Sequence, residues 1–327
     1  MDEHIRRGYI ARASQLYGAR RVECLDGAEK GNTVWEVYTA GGLRVELLPD
    51  HGLDIGQAWY RGSNVAFISK NGYDRPHRDL PYENEFLHYF PGGLLYTCGM
   101  RSAGPANRDG EEWHPLHGRY HSLSAEDVGV QATEDEIILT GVIRETALFG
   151  YALENRRTVR ISSYGASICI EDRITNLTPR DEEFMMIYHC NFGYPLLSEK
   201  ARLELPARRE TIPRTPCAAA GLERACVFDA PIDGDEERVF FQKMQDAFCA
   251  SLINPAIGVR MKMTWSGATL PILSQWRSMA GGDYALGLEP TNCFIMGRSM
   301  ERENGTLPKL RAFETKEHLV KIEFREE

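Results

Sequence analysis

The sequence predicts an all-β fold, a large antiparallel β-sandwich with a few short helices. Segments in which apolar and polar residues alternate with a period of two recur along the chain, whereas strands alternating regularly with long amphipathic helices are missing. No GxGxxG or GxxxxGK[ST] phosphate loop occurs, which disfavours the parallel nucleotide-binding folds. Because no Gly/Ser-rich linker or break in composition divides the chain, we expect residues 1–327 to form a single domain.

Individual segments justify the predicted elements. Residues 5–17 carry apolar side chains at helical spacing and end at Gly18, which predicts a short leading helix. Residues 35–38 and 43–47 alternate on either side of Ala40-Gly41-Gly42, as expected of a β-hairpin. The same alternation predicts later strands at residues 168–175, 259–265 and 320–324.

Charge and cysteine content exclude several classes of function. The chain has 38 basic and 47 acidic residues, a net charge of −9 with neutral histidine, which argues against a nucleic-acid groove. The sequence has no apolar run long enough to span a membrane, and its charged N-terminus is unlike a secretory signal. Its eight cysteines form no CxxC pair, so we expect reduced thiols and a cytoplasmic protein.

A cluster of histidines is the first candidate site. His114, His117 and His121 could suggest a metal centre, but Pro115 excludes a regular helix through them. In an extended chain His117, Arg119 and His121 would share one face and His114 would lie on the other. We therefore expect a polar stripe on a strand, and a metal site stays open as the alternative.

A histidine and a glutamate complete the candidate set. His189 lies in the apolar run 184–195, where burial and hydrogen bonding can bring its pKa near neutrality, although a structural core histidine is the alternative. Glu289 shares a strand face with Ala285 and Gly287, small residues that leave space beside its carboxylate for a substrate. The alternative is a surface glutamate at the end of a strand. Together with His117, these residues make a general acid–base set.

Six ordered segments then carry a family resemblance. They are HGLDIGQAWYRG (51–62), YTCGM (96–100), LHGRYHSLSAE (116–126), YHCNFGYPLLSE (188–199), LPILSQW (270–276) and LGLEPTN (286–292). The chain resembles the aldose 1-epimerase, or galactose mutarotase-like, superfamily, and more closely its aldose-epimerase-like branch of the DUF4432 type. The resemblance implies a β-sandwich enzyme that interconverts the anomers of a sugar through ring opening.

The resemblance also implies roles for particular residues. His117 would polarise the ring oxygen, His189 would protonate it as general acid, and Glu289 would take the proton of the anomeric hydroxyl. The reaction needs no metal and no redox cofactor. The sequence departs from the family pattern after the second histidine, and the family's N-terminal Asn-Arg pair has no clear counterpart except Arg101.

Further residues are expected to bind the sugar. Trp276 and Tyr188 would stack on its C–H face, and its hydroxyls would bond to Gln275, Asn292, Arg101 and Arg119. An arginine in the pocket would suit an acidic or phosphorylated sugar. The expected partner is thus a small sugar, with neither nucleic acid nor membrane.

Two alternatives to a mutarotase stay open. One is a metal-dependent sugar isomerase of the cupin type with His114, His117 and His121 among its ligands, although the HxH pattern of cupins is absent. The other is a sugar-binding protein without catalysis. The sequence names neither the sugar nor the preferred anomer, and it leaves both a monomer and a homodimer open.

Overall fold

A computed structural model describes residues 3–76 and 85–327. The first strands are β1 (Gly18–Glu23), β2 (Thr33–Tyr38), β3 (Leu43–Leu48), β4 (Asp54–Tyr60), β5 (Ser63–Asn64), β6 (Tyr96–Met100), β7 (Asn107–Asp109), β8 (Glu112–His114), β9 (Glu126–Ala132), β10 (Glu136–Thr146), β11 (Ala152–Ser162) and β12 (Ser167–Asn176). They continue with β13 (Glu182–Glu183), β14 (Met185–Phe192), β15 (Arg202–Glu204), β16 (Arg209–Pro213), β17 (Arg238–Met244), β18 (Cys249–Asn254), β19 (Val259–Trp265), β20 (Ile272–Ser278), β21 (Ala285–Thr291), β22 (Lys309–Leu310) and β23 (Thr315–Glu326).

Helices are few and short in the described residues. They are α1 (Glu3–Arg6), α2 (Phe86–Tyr89), α3 (Pro216–Ala220) and α4 (Arg298–Glu303), with 3₁₀ turns at Ala13–Gln15, Tyr120–Ser122 and Leu222–Arg224. The predicted leading helix over residues 5–17 is wrong beyond its first turn. Gly8 has a φ of 78°, a left-handed conformation that a right-handed helix cannot continue through.

The strands confirm the predicted all-β antiparallel sandwich. Within the described chain they form a five-stranded sheet (β1-β2-β3-β4-β5), an eight-stranded sheet (β15-β18-β19-β23-β12-β11-β10-β9), a six-stranded sheet (β16-β17-β20-β21-β14-β6) and two small ribbons. The predicted hairpin is β2 and β3, paired from Trp35–Leu47 to Tyr38–Arg44. The strands predicted at 168–175, 259–265 and 320–324 fall within β12, β19 and β23.

The main core lies between the sheets. One buried cluster includes Val45 of the five-stranded sheet, Ile170 and Ile322 of the eight-stranded sheet, and Phe192 and Leu288 of the six-stranded sheet. The residues that alternate with Phe192 and Leu288 along their strands point to the opposite face of the six-stranded sheet. A second, smaller apolar cluster forms on that face. Since one core draws on all three large sheets, we propose that the chain is a single domain.

A buried charge network crosses this core. The Arg157 guanidinium donates to Asp54 Oδ1 at 2.6 Å, to Asp172 Oδ1 and Oδ2 at 2.9 and 2.7 Å, and to Thr97 Oγ1 at 3.0 Å. The Tyr188 hydroxyl donates to Asp172 Oδ2 at 2.7 Å. These residues are fully buried or nearly so. Because they belong to β4, β6, β11, β12 and β14, the network ties the three large sheets together.

Two further features concern the chain as a whole. All eight cysteines are free thiols, three of them buried: Cys98, Cys190 and Cys293. Among the helices of residues 3–76 and 85–327, none is both long and apolar enough to cross a membrane.

The buried network predicts a large stability effect at its centre. Arg157→Met leaves Asp54 and Asp172 buried without their cation, and we expect the free energy of unfolding to fall by about 3–5 kcal/mol. Urea denaturation measures the change. The control Arg173→Met removes an exposed ion pair to Glu317 (3.3 Å) and should cost at most about 1 kcal/mol. Equal losses in the two variants would contradict the role given to the network.

Candidate active site

A pocket of about 270 Å³ opens on the outer face of the six-stranded sheet. Its polar lining includes His117, His189, Arg214, Glu237, Ser274 and Glu289, and its apolar walls include Phe86, Phe90, Val239 and Trp276. The three residues predicted to be catalytic, which lie far apart in the sequence, therefore meet in one hollow. A volume of this size is close to the lower end of small-molecule pockets, about 300–1,000 Å³.

Strand register puts the acid–base pair in a single row. Ser274 of β20 is the direct partner of Glu289 of β21. On the other side of β21, the pairs Cys190–Leu288 and Asn191–Gly287 bring His189 beside Glu289. His189 Nε2 lies 3.3 Å from Glu289 Oε1. A Cβ atom at Gly287 would lie 2.2 Å from the same oxygen, so the glycine leaves the space that this carboxyl occupies.

Burial sets the charge of this pair. Glu289 is 1% and His189 6% exposed. Removal from water raises the pKa of the Glu289 carboxyl from 4.5 to about 8, although the neighbouring Ser274 hydroxyl and then the positive charge of Arg214 oppose the shift. Burial likewise lowers the pKa of the His189 imidazole to about 4. At neutral pH the pair therefore holds a single proton and has no net charge.

His117 reaches the pocket from a loop rather than from a strand. Its φ of 59° is unusual for a residue with a side chain. Two hydrogen bonds to Gly104 hold it: His117 N–H donates to Gly104 O at 2.9 Å, and Gly104 N–H donates to His117 Nδ1 at 3.3 Å. Because Nδ1 accepts, the imidazole is neutral and Nε2 carries the proton. Enclosure by the protein, with the neighbouring His189, lowers the pKa of His117 well below its usual value.

Aromatic rings surround the pair. The His189 ring lies 5.6 Å from Trp276, 5.5 Å from Phe90 and 5.9 Å from His117, measured between ring centroids. The indole N–H of Trp276 donates to Glu237 Oε2 at 2.8 Å, which fixes the orientation of the ring. Among the predicted sugar-binding residues, Trp276 is the one that lines the pocket.

Two polar atoms on the floor of the pocket make no hydrogen bond of standard geometry among the described residues, although one of them is the oxygen 3.3 Å from His189 Nε2. They are Glu289 Oε1 and Ser274 Oγ, both buried. A buried polar atom without a partner costs free energy, and binding sites accept that cost when a ligand supplies the partner. The floor can therefore hydrogen-bond a polyhydroxylated molecule.

The structure places two predicted sugar contacts on the wrong side of the sheet. Tyr188 precedes His189 and Gln275 precedes Trp276, and successive side chains of a strand point to opposite faces. Tyr188 accordingly lies in the core, bonded to Asp172. Gln275 Oε1 accepts from Gln242 at 2.9 Å, and its Nε2 donates to a backbone carbonyl.

Three further predicted contacts have other partners. Arg101 is bound by Glu112 and Glu182 at 2.8 and 2.9 Å, away from the pocket. Arg119 Nη2 lies 3.5 Å from a backbone carbonyl in the same region. Asn292 Oδ1 accepts from Met186 N–H at 2.8 Å, which joins the end of β21 to β14. None of the three lines the pocket.

The three clustered histidines diverge. The stretch after Pro115 is a loop and a 3₁₀ turn, so the strand stripe expected for His117, Arg119 and His121 does not form. His114 is buried 3.7 Å from Glu112, whereas His121 stacks on Tyr96 with ring centroids 4.8 Å apart. In the described part of the chain, no group of three or more His, Cys, Asp or Glu residues is arranged to hold a metal ion. The geometry thus gives no support to a histidine metal centre.

Sequence reasoning missed Ser274 and Arg214. Because side chains two residues apart in a strand point to the same face, Ser274 lies on the face of Trp276 and Gln275 on the opposite face. This rule would have predicted Ser274 rather than Gln275 as a pocket residue. Arg214 lies in the short connection between β16, which ends at Pro213, and α3, which begins at Pro216, where neither periodicity nor a motif marks it.

Comparison with known proteins identifies relatives of the chain. The sequence model of a family described as a domain of unknown function, DUF4432, matches residues 29–324. No curated protein matches the sequence.

Solved structures share the fold. A "putative aldose 1-epimerase" from Klebsiella pneumoniae superposes with a TM-score of 0.87 at 20% identity, over 94% of this chain and 83% of that chain. A galactose mutarotase-like protein from Clostridium acetobutylicum gives 0.67 at 14% identity, over 96% and 100%. Galactose 1-epimerase from Lactobacillus acidophilus gives 0.63 at 14% identity, over 95% and 99%. At these identities the likeness establishes the fold, a galactose mutarotase-like sandwich.

The raised pKa of Glu289 predicts that a neutral replacement stabilises the protein. A carboxyl with a pKa of 4.5 when unfolded and about 8 when folded binds its proton more tightly in the folded state. Its contribution to stability is complete below pH 4.5 and is lost as the pH rises to about 8. Glu289→Gln should therefore gain stability over wild type across this range, by at least about 1 kcal/mol at pH 8.

Urea denaturation at several pH values measures that difference. The exposed Glu317→Gln is the matched control, for which we expect no such trend. A difference between Glu289→Gln and wild type that stays flat or shrinks with rising pH would show that the carboxyl is already ionised in the folded protein.

Proposed function

Because the chain belongs to the DUF4432 family and has a galactose mutarotase-like fold, we propose that it is a mutarotase-type isomerase, an enzyme that interconverts the anomers of a monosaccharide or a derivative. The membership agrees with the resemblance seen in the sequence. The observation that carries the proposal is the buried contact of 3.3 Å between His189 Nε2 and Glu289 Oε1 on the floor of a sugar-sized pocket.

The pair holds what ring opening requires, one proton and one vacant base. At neutral pH the proton rests on Glu289, and the reactive arrangement forms when it passes across the 3.3 Å contact to His189, which leaves Glu289 ionised. Glu289 takes the proton of the C1 hydroxyl, His189 gives its proton to the ring oxygen, and the bond between C1 and the ring oxygen breaks. The products are a C1 carbonyl, a free ring hydroxyl, a neutral carboxyl and a neutral imidazole. Both transfers remove charge from a dry site, so burial favours them.

Reversal of the two transfers closes the ring. Rotation about the C1–C2 bond presents the other face of the carbonyl to the ring hydroxyl. His189 then takes back the hydroxyl proton while Glu289 returns its proton to the carbonyl oxygen, which yields the opposite anomer. The pair ends with the proton where it began, and the cycle needs no cofactor.

The remaining pocket residues orient the sugar. His117 Nε2–H is a donor whose tautomer is fixed by Gly104, and it is suited to hold an oxygen next to the breaking bond. Ser274 Oγ supplies a further hydrogen bond beside Glu289. The Trp276 ring, held by Glu237, offers an apolar surface to the C–H face of a sugar.

Two properties support the wider setting of this proposal. The pocket volume suits a monosaccharide rather than a chain of sugars. The free cysteines are in keeping with a reducing compartment, and we propose the cytoplasm.

Saturation-transfer NMR tests the proposed activity by measuring anomer exchange above the spontaneous rate on a panel of neutral, keto and acidic sugars. Wild type should accelerate exchange of at least one sugar, and Glu289→Gln should lose about 100-fold or more of that acceleration because it removes the base. The exposed Glu317→Gln serves as control and should retain the wild-type rate. Wild-type rates that equal those of Glu289→Gln on every sugar would refute the proposal, and tight sugar binding without acceleration would indicate a sugar-binding protein.

A further inference from the structure

Arg214 brings a positive charge into the pocket from a fixed backbone. It follows Pro213, the last residue of β16, and its N–H donates to Val239 O at 2.9 Å. The next residue, Thr215, caps α3 by accepting from Ala218 N–H at 3.2 Å. The strand on one side and the capped helix on the other therefore hold the Arg214 backbone in place.

Arg214 is a half-buried residue, and its side chain forms no ion pair with a carboxylate of the described residues. Three arginines that are more deeply buried have one: Arg101 lies 2.8 Å from Glu112, Arg277 2.8 Å from Asp229, and Arg298 2.7 Å from Glu183. Arg214 is also the one arginine or lysine among the described residues that line the pocket. A cation withdrawn from water without an ion partner is suited to take one from a ligand.

Among the described residues, no ionised carboxylate inside the pocket balances this cation. Glu237 is exposed at the rim, where its carboxylate accepts the indole N–H of Trp276 at 2.8 Å. Glu289 lies deeper, and its raised pKa of about 8 leaves it mostly neutral at pH 7. His117 and His189 are neutral as well, because burial lowers the pKa of both rings. The inner pocket is therefore positive.

We infer that the substrate is a monosaccharide with an anionic substituent, a carboxylate or a phosphate, which Arg214 binds in the pocket. This inference rests on the proposed function for the reaction, and adds the chemical class of the sugar. The guanidinium offers two parallel N–H groups that match either anion. Arg101 and Arg119, which the sequence predicted to bond the hydroxyls of the sugar, lie outside the pocket.

Equilibrium binding at pH 7 tests the inference apart from catalysis. Isothermal calorimetry compares D-galactose with D-galacturonate and D-galactose 6-phosphate, and D-glucose with D-glucuronate and D-glucose 6-phosphate. Wild type should bind at least one anionic member about tenfold or more tightly than its neutral parent, and whether the carboxylate or the phosphate is preferred identifies the anion.

Variants assign the preference to this side chain. Arg214→Gln should bring the ratio of anionic to neutral affinity close to one, whereas Arg214→Lys should keep part of it. Arg21→Gln, at an exposed position of β1, is the control and should keep the wild-type ratio. If circular dichroism shows that Arg214→Gln is unfolded, two other measurements replace it. Arg214→Lys should keep part of the affinity ratio, and high salt should reduce the wild-type ratio because it screens the charges.

Three results would overturn the inference: a wild-type ratio near one, a ratio that Arg214→Gln leaves unchanged, or no measurable binding of any anionic sugar. These results are separate from the fate of the proposed reaction. Preferential binding of anionic sugars without accelerated exchange would remove the mutarotase and keep the anion site. Accelerated exchange of neutral sugars, with a ratio of anionic to neutral affinity near one, would keep the mutarotase and remove the anion site.

Discussion

The guanidinium of Arg157 holds the sandwich together from its centre. It lies between two carboxylates, Asp54 and Asp172, at 2.6 to 2.9 Å, and without it both carboxylates would lose their buried cation. Tyr188, which joins the network through Asp172, is the strand neighbour of His189. The charges buried in the core are thus paired directly beneath the strand that carries the imidazole of the pocket, and this pairing fixes the strand on which the site depends.

The carboxyl groups on the two faces of the six-stranded sheet have different surroundings. On the core face, Asp172 is held by a buried arginine. On the pocket face, Glu289 has an imidazole 3.3 Å away but, among residues 3–76 and 85–327, no arginine in hydrogen-bond contact. Desolvation is the main influence on its pKa. A carboxyl left in this condition lowers stability at neutral and basic pH, a cost that proteins commonly accept at functional sites. The contrast favours a chemical role for Glu289 over a structural one.

Period-two alternation was enough to predict the sandwich and the β2–β3 hairpin, because many of the strands bury only one face. The strand that carries His189 was recognised instead as an apolar run, since every residue of β14 is buried. The convergence of His189 and Glu289 with His117 came from the family resemblance, since cross-strand register is a property of the whole sheet. Tyr188 and Gln275 were wrongly assigned to the pocket together with their neighbours His189 and Trp276, although adjacent side chains of a strand point to opposite faces of the sheet. Arg214 lies in a loop, where position depends on tertiary contacts that local sequence does not encode.

The central claim is that one proton is shared by a buried imidazole and a buried carboxyl, and NMR titration tests it most directly. Carboxyl-labelled glutamate, with the Glu289→Gln spectrum to assign the resonance, reports the ionisation of Glu289, and imidazole nitrogen shifts report His189. The account predicts a carboxyl that stays protonated at pH 6 and titrates near pH 8, beside an imidazole that stays neutral down to about pH 4. A carboxyl that is fully ionised by pH 6 beside an imidazole that is neutral, so that the pair holds no proton, would contradict it.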